Sequence, residues 1–113
     1  MFSFLKKLFG GSNQQEIIDL LQQKAIILDV RTVGEFKQGH VQGSVNIPLD
    51  QLRKQLSRLK KQNKPIVACC ATGRRSGIAA GMLRESEVTS LNAGSWQNVD
   101  RLVKKMATSV RTS

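Results

Sequence analysis

The chain has 113 residues, with 18 Lys and Arg against 8 Asp and Glu, one histidine and two cysteines, for a net charge of +10. That length suits one domain able to close a core without metal or disulfide staples, and 40% hydrophobic residues argue against a disordered chain. The two cysteines, Cys69 and Cys70, are neighbours and cannot cross-link distant segments, so a secreted disulfide scaffold is excluded and a reducing, cytoplasmic compartment is expected.

Met1 to Phe9 stands apart from the rest of the chain. On a helical wheel Met1, Phe2, Phe4, Leu5, Leu8 and Phe9 share one arc, with Ser3, Lys6 and Lys7 opposite, and Gly10-Gly11-Ser12 then breaks the pattern. An apolar face backed by lysines is what an interfacial anchor needs, so a peripheral membrane contact is expected of this segment. It lacks the form of a secretory signal, because lysines split the apolar part and no small-residue cleavage site comes after it. No apolar run reaches the roughly 20 residues of a spanning helix.

Beyond the break, helical and strand signals alternate. Glu16 to Gln23 reads as a short amphipathic helix, and Ala25 to Leu28 as a strand buried on both faces. Ser44 to Ile47 is a second short strand closed by Pro48. Leu49 to Lys61 carries Leu49, Leu52, Leu56 and Leu59 at helical spacing and is stopped by Asn63-Lys64-Pro65. Ile66 to Cys69 is another buried strand and Ser76 to Arg84 a helix. Val88 to Leu91 reads as a strand and Val99 to Met106 as a closing helix. Strand–helix alternation predicts an α/β domain with a small, mostly parallel sheet covered by helices on both faces.

The densest positive stretch is Arg53, Lys54, Arg58, Lys60, Lys61 and Lys64. There is no tyrosine, and the phenylalanines at 2, 4, 9 and 36 lie away from it, so the stacking aromatics of a single-strand binder are missing. A solvated helix face is expected, and no nucleic acid partner. The positive field favours small anionic substrates.

Ligands of an open α/β sheet gather where strands end and helices begin, and Cys69 to Ser76 occupies such a junction. If Cys70 opens the loop, its sulfur faces backbone N–H groups and a helix N-terminus, which stabilise a thiolate. Gly73 permits a sharp turn, while Arg74 and Arg75 add fixed positive charge. An activated thiolate in an anion-binding loop is a nucleophile for an anionic substrate. Cys69 belongs inside the strand, pointing to the opposite side.

Three blocks resemble the rhodanese family. Asp29-Val30-Arg31 through Glu35-Phe36, Gly39-His40, Gly43 and Asn46-Ile47-Pro48 is similar to its DVR…EF…GH…G…NIP signature. Cys70 to Ser76, CATGRRS, fits its CxxGxRS loop, and Leu91 to Trp96 is similar to its closing L-x-G-G stretch and nearby tryptophan. The resemblance covers roughly residues 15 to 107, so the expected organisation is the amphipathic segment over 1–11 followed by a rhodanese-like domain over 12–113. The resemblance implies a sulfurtransferase in which Cys70 takes sulfane sulfur from thiosulfate or a similar anionic donor as a persulfide and passes it to cyanide, a thiol or a protein acceptor. The substrate-binding loop would be Ala71, Thr72, Gly73, Arg74 and Arg75, its backbone cradling the negative sulfur and Arg74 drawing in the donor's sulfonate. No metal or organic cofactor is implied. Asp29, Arg31, Glu35 and His40 match residues that hold the fold.

Two alternatives come from the same loop. Cysteine phosphatases and arsenate reductases use HCxxGxxR, with five residues between Cys and Arg. Four separate Cys70 from Arg75, the shorter spacing, whereas Cys69 gives five but places Thr72 at the glycine position and Ala68 at the histidine position. The other alternative is a non-catalytic rhodanese-like binding module.

Overall fold

The computed structural model describes residues 13–112; the amphipathic Met1 to Phe9 segment lies outside the described residues. Helix α1 (Gln14–Gln22) starts at Asn13, whose side chain accepts the Glu16 N–H at 2.9 Å. It leads into strand β1 (Ile26–Asp29). Helix α2 (Val33–Lys37) is only five residues long and is held by a reciprocal cap between Thr32 and Glu35. Next come strand β2 (Val45–Asn46), helix α3 (Leu49–Lys61) and strand β3 (Ile66–Cys70). Helix α4 (Arg74–Glu85), strand β4 (Ser90–Ser95) and helix α5 (Trp96–Thr112) complete the chain.

The four strands form one sheet in the order β2-β1-β3-β4, with every neighbouring pair parallel. Side chains of successive strand residues point to opposite faces, and β3 divides its five buried residues accordingly. Ile66, Ala68 and Cys70 join Leu28, Leu52, Leu59, Ala79 and Leu83 beneath α3 and α4. Val67 and Cys69 join Ile17, Val99 and Leu102 beneath α1 and α5. The expected α/β architecture is present, with β3 inside the sheet and its C-terminal end feeding α4. This pairing of an apolar inner strand with two helical layers brings Cys70 to the C-terminal end of the sheet, where ligands of open α/β sheets gather.

Several elements differ from expectation, among them α1, which starts at Gln14 and not at Glu16. Helix α4 starts at Arg74, two residues sooner, because Gly73 turns the chain at φ 99°, a backbone that glycine adopts without strain. Strand β4 runs Ser90–Ser95 rather than Val88 to Leu91. Val88 is buried before the strand, after a turn with Glu87 at φ 65°, and the strand proper buries polar Ser90 and Asn92, which weakens its apolar signal. Helix α5 begins at Trp96, three residues before the expected start. Helix α2 has no residue that is fully buried, so its sequence carries no apolar face to read.

Candidate active site

Cys70 ends β3 and sits at the floor of the turn Ala71 to Gly73, facing the first turn of α4. Its Sγ accepts the Gly73 N–H at 3.0 Å and the Ser76 N–H at 3.4 Å, and the Ser76 Oγ lies 3.3 Å away. Burial pushes the Cys70 thiol up; the Ser76 hydroxyl and the N–H groups of Ser76, Thr72 and Gly73 outweigh it and leave the thiol below its ordinary value. The positive end of α4 acts in the same direction. Cys69, one residue earlier, is buried on the other face, and desolvation, reinforced by the Asp29 carboxylate, raises its thiol far above the ordinary range. The vicinal cysteines therefore differ in chemistry because they point opposite ways.

The loop's close fit depends on Gly73. A side chain there would bring a Cβ within 3.2 Å of the Gly94 Cα, and the residue's positive φ disfavours one regardless of space.

Two ion pairs frame the loop. Arg75, the second residue of α4, grips Glu35 of α2 at two points, Nη1 to Oε1 at 2.7 Å and Nη2 to Oε2 at 3.0 Å. The guanidinium of Arg75, with the Thr32 N–H, lowers the Glu35 carboxyl from 4.5 to about 2. Deeper, Asp29 and Arg31 form a buried pair: Arg31 Nε donates to both carboxylate oxygens at 3.0 and 3.1 Å, and Nη2 to Oδ2 at 2.8 Å. Arg31 also donates to the Gly39 and Glu35 carbonyl oxygens and lies over the Trp96 ring at 4.9 Å. Asn46 ties the same strand end by donating to the Asp29 and Arg31 carbonyl oxygens. His40 donates from Nδ1 to the Phe36 carbonyl oxygen at 2.8 Å and stacks on the Phe36 ring, a support for the turn after α2.

Of the residues singled out in the sequence, Cys70, Thr72 and Gly73 meet at the sulfur, the last two through backbone N–H groups. Ala71 and Arg74 are exposed on the rim. Arg75 adjoins the loop with its guanidinium committed to Glu35. Ser76, which supplies both an N–H and a hydroxyl, is a contact of the sulfur that sequence reasoning missed. Its signal is its place at the third position of the helix, where backbone donors are unpaired. Glu35 supports the fold as expected, but nothing in the sequence points to Arg75 as its partner.

The rhodanese-like domain profile matches residues 13–102. The Bacillus subtilis uncharacterized protein YqhL is 39% identical over 69 residues, 61% of this chain and 54% of that protein. The Escherichia coli thiosulfate sulfurtransferase PspE is 34% identical over 74 residues, covering 64% of this chain and 71% of PspE. A solved structure described as rhodanese with anions from E. coli superposes with a TM-score of 0.60 at 32% identity, over 66% of this chain and 89% of that one. The reduced CoADR-RHD of Bacillus anthracis gives a TM-score of 0.66 at 33% identity over 83% of this chain, but only 17% of the longer protein. This chain thus spans about half of YqhL and a small part of CoADR-RHD. Fold, sequence profile and relatives agree: the chain belongs to the rhodanese-like domain family.

Proposed function

We propose that this protein is a sulfurtransferase that carries sulfane sulfur as a persulfide on Cys70. The observation that carries this reading is the arc of donors on the Cys70 sulfur, Gly73 N–H at 3.0 Å and Ser76 N–H at 3.4 Å, with the thiol held below its ordinary value. Such an arc favours an anionic sulfur, whether thiolate or persulfide. Relatives named thiosulfate sulfurtransferase and putative sulfur carrier protein lend support at the family level.

The reaction is a pair of displacements. The Cys70 thiolate attacks the outer sulfur of thiosulfate; a Cys70–sulfur bond forms, the bond from that sulfur to the sulfonate sulfur breaks, and sulfite leaves with the bonding pair. Cyanide or a thiolate acceptor then attacks the outer sulfur of the persulfide, taking it and returning Cys70 as thiolate. No proton or external electron is consumed in the cyanide case. Arg74, exposed at the rim, attracts the anionic donor, and loop N–H groups hold the negative sulfur between the two steps. Ala71, Thr72 and Gly73 form the cradle by their backbone, and Arg75 stiffens its far side through Glu35.

Reduced, unpaired thiols fit the cytoplasm, and the Met1 to Phe9 segment supplies a tether to a membrane surface. No helix among the described residues is long and apolar enough to cross a membrane.

Intact mass tests the reading. Wild type and Cys69→Ser, incubated with thiosulfate, should gain the mass of one sulfur and lose it to cyanide, and Cys70→Ser should gain none. If none of the three proteins loads sulfur from thiosulfate or from a persulfide donor, the proposal fails. Retained loading in Cys70→Ser would transfer the role to another residue.

A further inference from the structure

Asn92 makes no hydrogen bond to the Cys70 sulfur, yet it is hydrogen-bonded to two residues that do. It lies in β4 opposite Ala68 of β3, and there the ladder slips. Ala68 pairs with Asn92 while Cys70 pairs with Ser95, so two steps along β3 match three along β4, and the extra residue falls within Ala93-Gly94.

The Asn92 side chain enters a slot left by two glycines one helical turn apart, and the residue is only 7% exposed. A Cβ on Gly77 would lie 3.1 Å from Asn92 Nδ2, and one on Gly73 would lie 4.0 Å from it. There Nδ2 donates to the Gly73 carbonyl oxygen at 2.9 Å, while Oδ1 accepts the Ser76 hydroxyl at 2.7 Å and the Gly94 N–H at 3.0 Å. Gly73 supplies an N–H to the sulfur, and Ser76 supplies an N–H and places its hydroxyl beside it.

The geometry points to Asn92 as a positioning residue that holds the Gly73 and Ser76 backbone N–H donors on the Cys70 sulfur. A serine in the first turn of a helix has competing acceptors in the carbonyls three and four residues back, here those of Gly73 and Thr72. Asn92 opposes that competition twice: Oδ1 takes the one proton of the Ser76 hydroxyl, and Nδ2 fills the second acceptor site of the Gly73 carbonyl, the first being held by the Gly77 N–H. Without it the Ser76 hydroxyl turns to the Gly73 carbonyl and takes the place of Nδ2 there, beside the Gly77 N–H at 3.1 Å. The tie from the turn to β4 that keeps the Gly73 and Ser76 N–H groups on the sulfur is then lost. This inference rests on the proposed role of Cys70, but its test does not need a sulfur donor.

The full-length protein is alkylated with iodoacetamide across pH, and the Cys70 rate is read by peptide mass. Asn92→Ala should move the profile up by about one pH unit, an about tenfold loss of thiolate below neutral pH, and the rate should recover in alkali. The shift should be smaller in a Ser76→Ala background, because two residues acting on one sulfur are not additive. Asn92→Ser, which loses the same bonds, should behave alike and serves if the alanine variant does not fold. A profile that superposes on wild type, or an equal shift in both backgrounds, would overturn the proposal even if the melting temperature fell. Failure of thiosulfate to load Cys70 would be a separate result, against the sulfur-transfer reading alone.

Discussion

Glu35 and Arg75 lie 40 positions apart, yet they meet as a two-point ion pair, at 2.7 and 3.0 Å, that ties α2 to the first turn of the helix behind Cys70. Both side chains are about one-third exposed, 37% and 33%, so solvent screens the pair and its net worth is no more than about 1 kcal/mol. The Glu35 carboxyl is lowered from 4.5 to about 2. A depressed carboxyl contributes stability that is present above its unfolded value and is lost as pH falls towards the folded value. The thermal midpoint of wild type should therefore exceed that of Glu35→Gln above pH 4.5, and the two should converge near pH 2. A constant difference down to that pH would remove the charge of Glu35 as the cause.

Cys69 and Cys70 make a controlled comparison within one strand. Cys70 has the lowered thiol and Cys69 the raised one. At neutral pH a small alkylating reagent should label Cys70 faster than a free cysteine and leave Cys69 unlabelled until the protein unfolds. Ser76→Ala should slow labelling of Cys70 at neutral pH and leave the rate in alkali unchanged. Peptide mapping of the labelled protein reads both sites at once; equal labelling of the two cysteines in the folded protein would contradict the assignment.

The legible parts of the sequence are those whose signals are local. Helix α3 matches its expected bounds, Leu49 to Lys61, because Pro48 and Asn63-Lys64-Pro65 punctuate it and leucines recur at helical spacing. Strand β3 is legible as a continuous apolar run, and the alternation that sends Cys69 and Cys70 to opposite faces comes from strand geometry alone. Strand β4 is displaced because Ser90 and Asn92 are buried as hydrogen-bonding groups, Ser90 to the Ala80 carbonyl oxygen and Asn92 to the loop. Apolar periodicity has no way to register such residues. The Glu35–Arg75 and Asn92–Ser76 contacts join distant segments and become visible only once the sheet is assembled.

The Met1 to Phe9 segment carries its own prediction from sequence. Its apolar arc and lysines fit an anionic bilayer surface. Full-length protein should sediment with vesicles containing anionic lipid and less with neutral ones, and deletion of residues 1–9 should abolish sedimentation. Because the whole chain is basic at +10, electrostatic adhesion alone is the competing cause. Added salt separates the two: adhesion vanishes as charge is screened, whereas binding through Phe2, Phe4 and Phe9 persists in part. Unchanged sedimentation after the deletion would leave the segment without this role.

Arg31 sets a larger effect deeper in the fold. Asp29 is fully buried, and Arg31 answers its carboxylate through Nε and Nη2 while also holding the Gly39 and Glu35 carbonyl oxygens. Arg31→Ala would leave the buried Asp29 carboxylate without its counter-charge and the Gly39 carbonyl oxygen without the Arg31 donor, and removing one partner of a buried pair costs about 3–5 kcal/mol. Arg31→Lys should recover little of that, because one ammonium cannot span the carboxylate and both carbonyls in the plane that the guanidinium uses. Asp29→Asn should cost less than Arg31→Ala, since it keeps the side chain's size and removes the charge that must be answered. Urea unfolding of the three variants orders them: wild type most stable, then Asp29→Asn, with Arg31→Lys and Arg31→Ala lowest. If Arg31→Ala shifted the midpoint no more than a surface substitution, the pair would be no part of what holds β1 beneath the Cys70 loop.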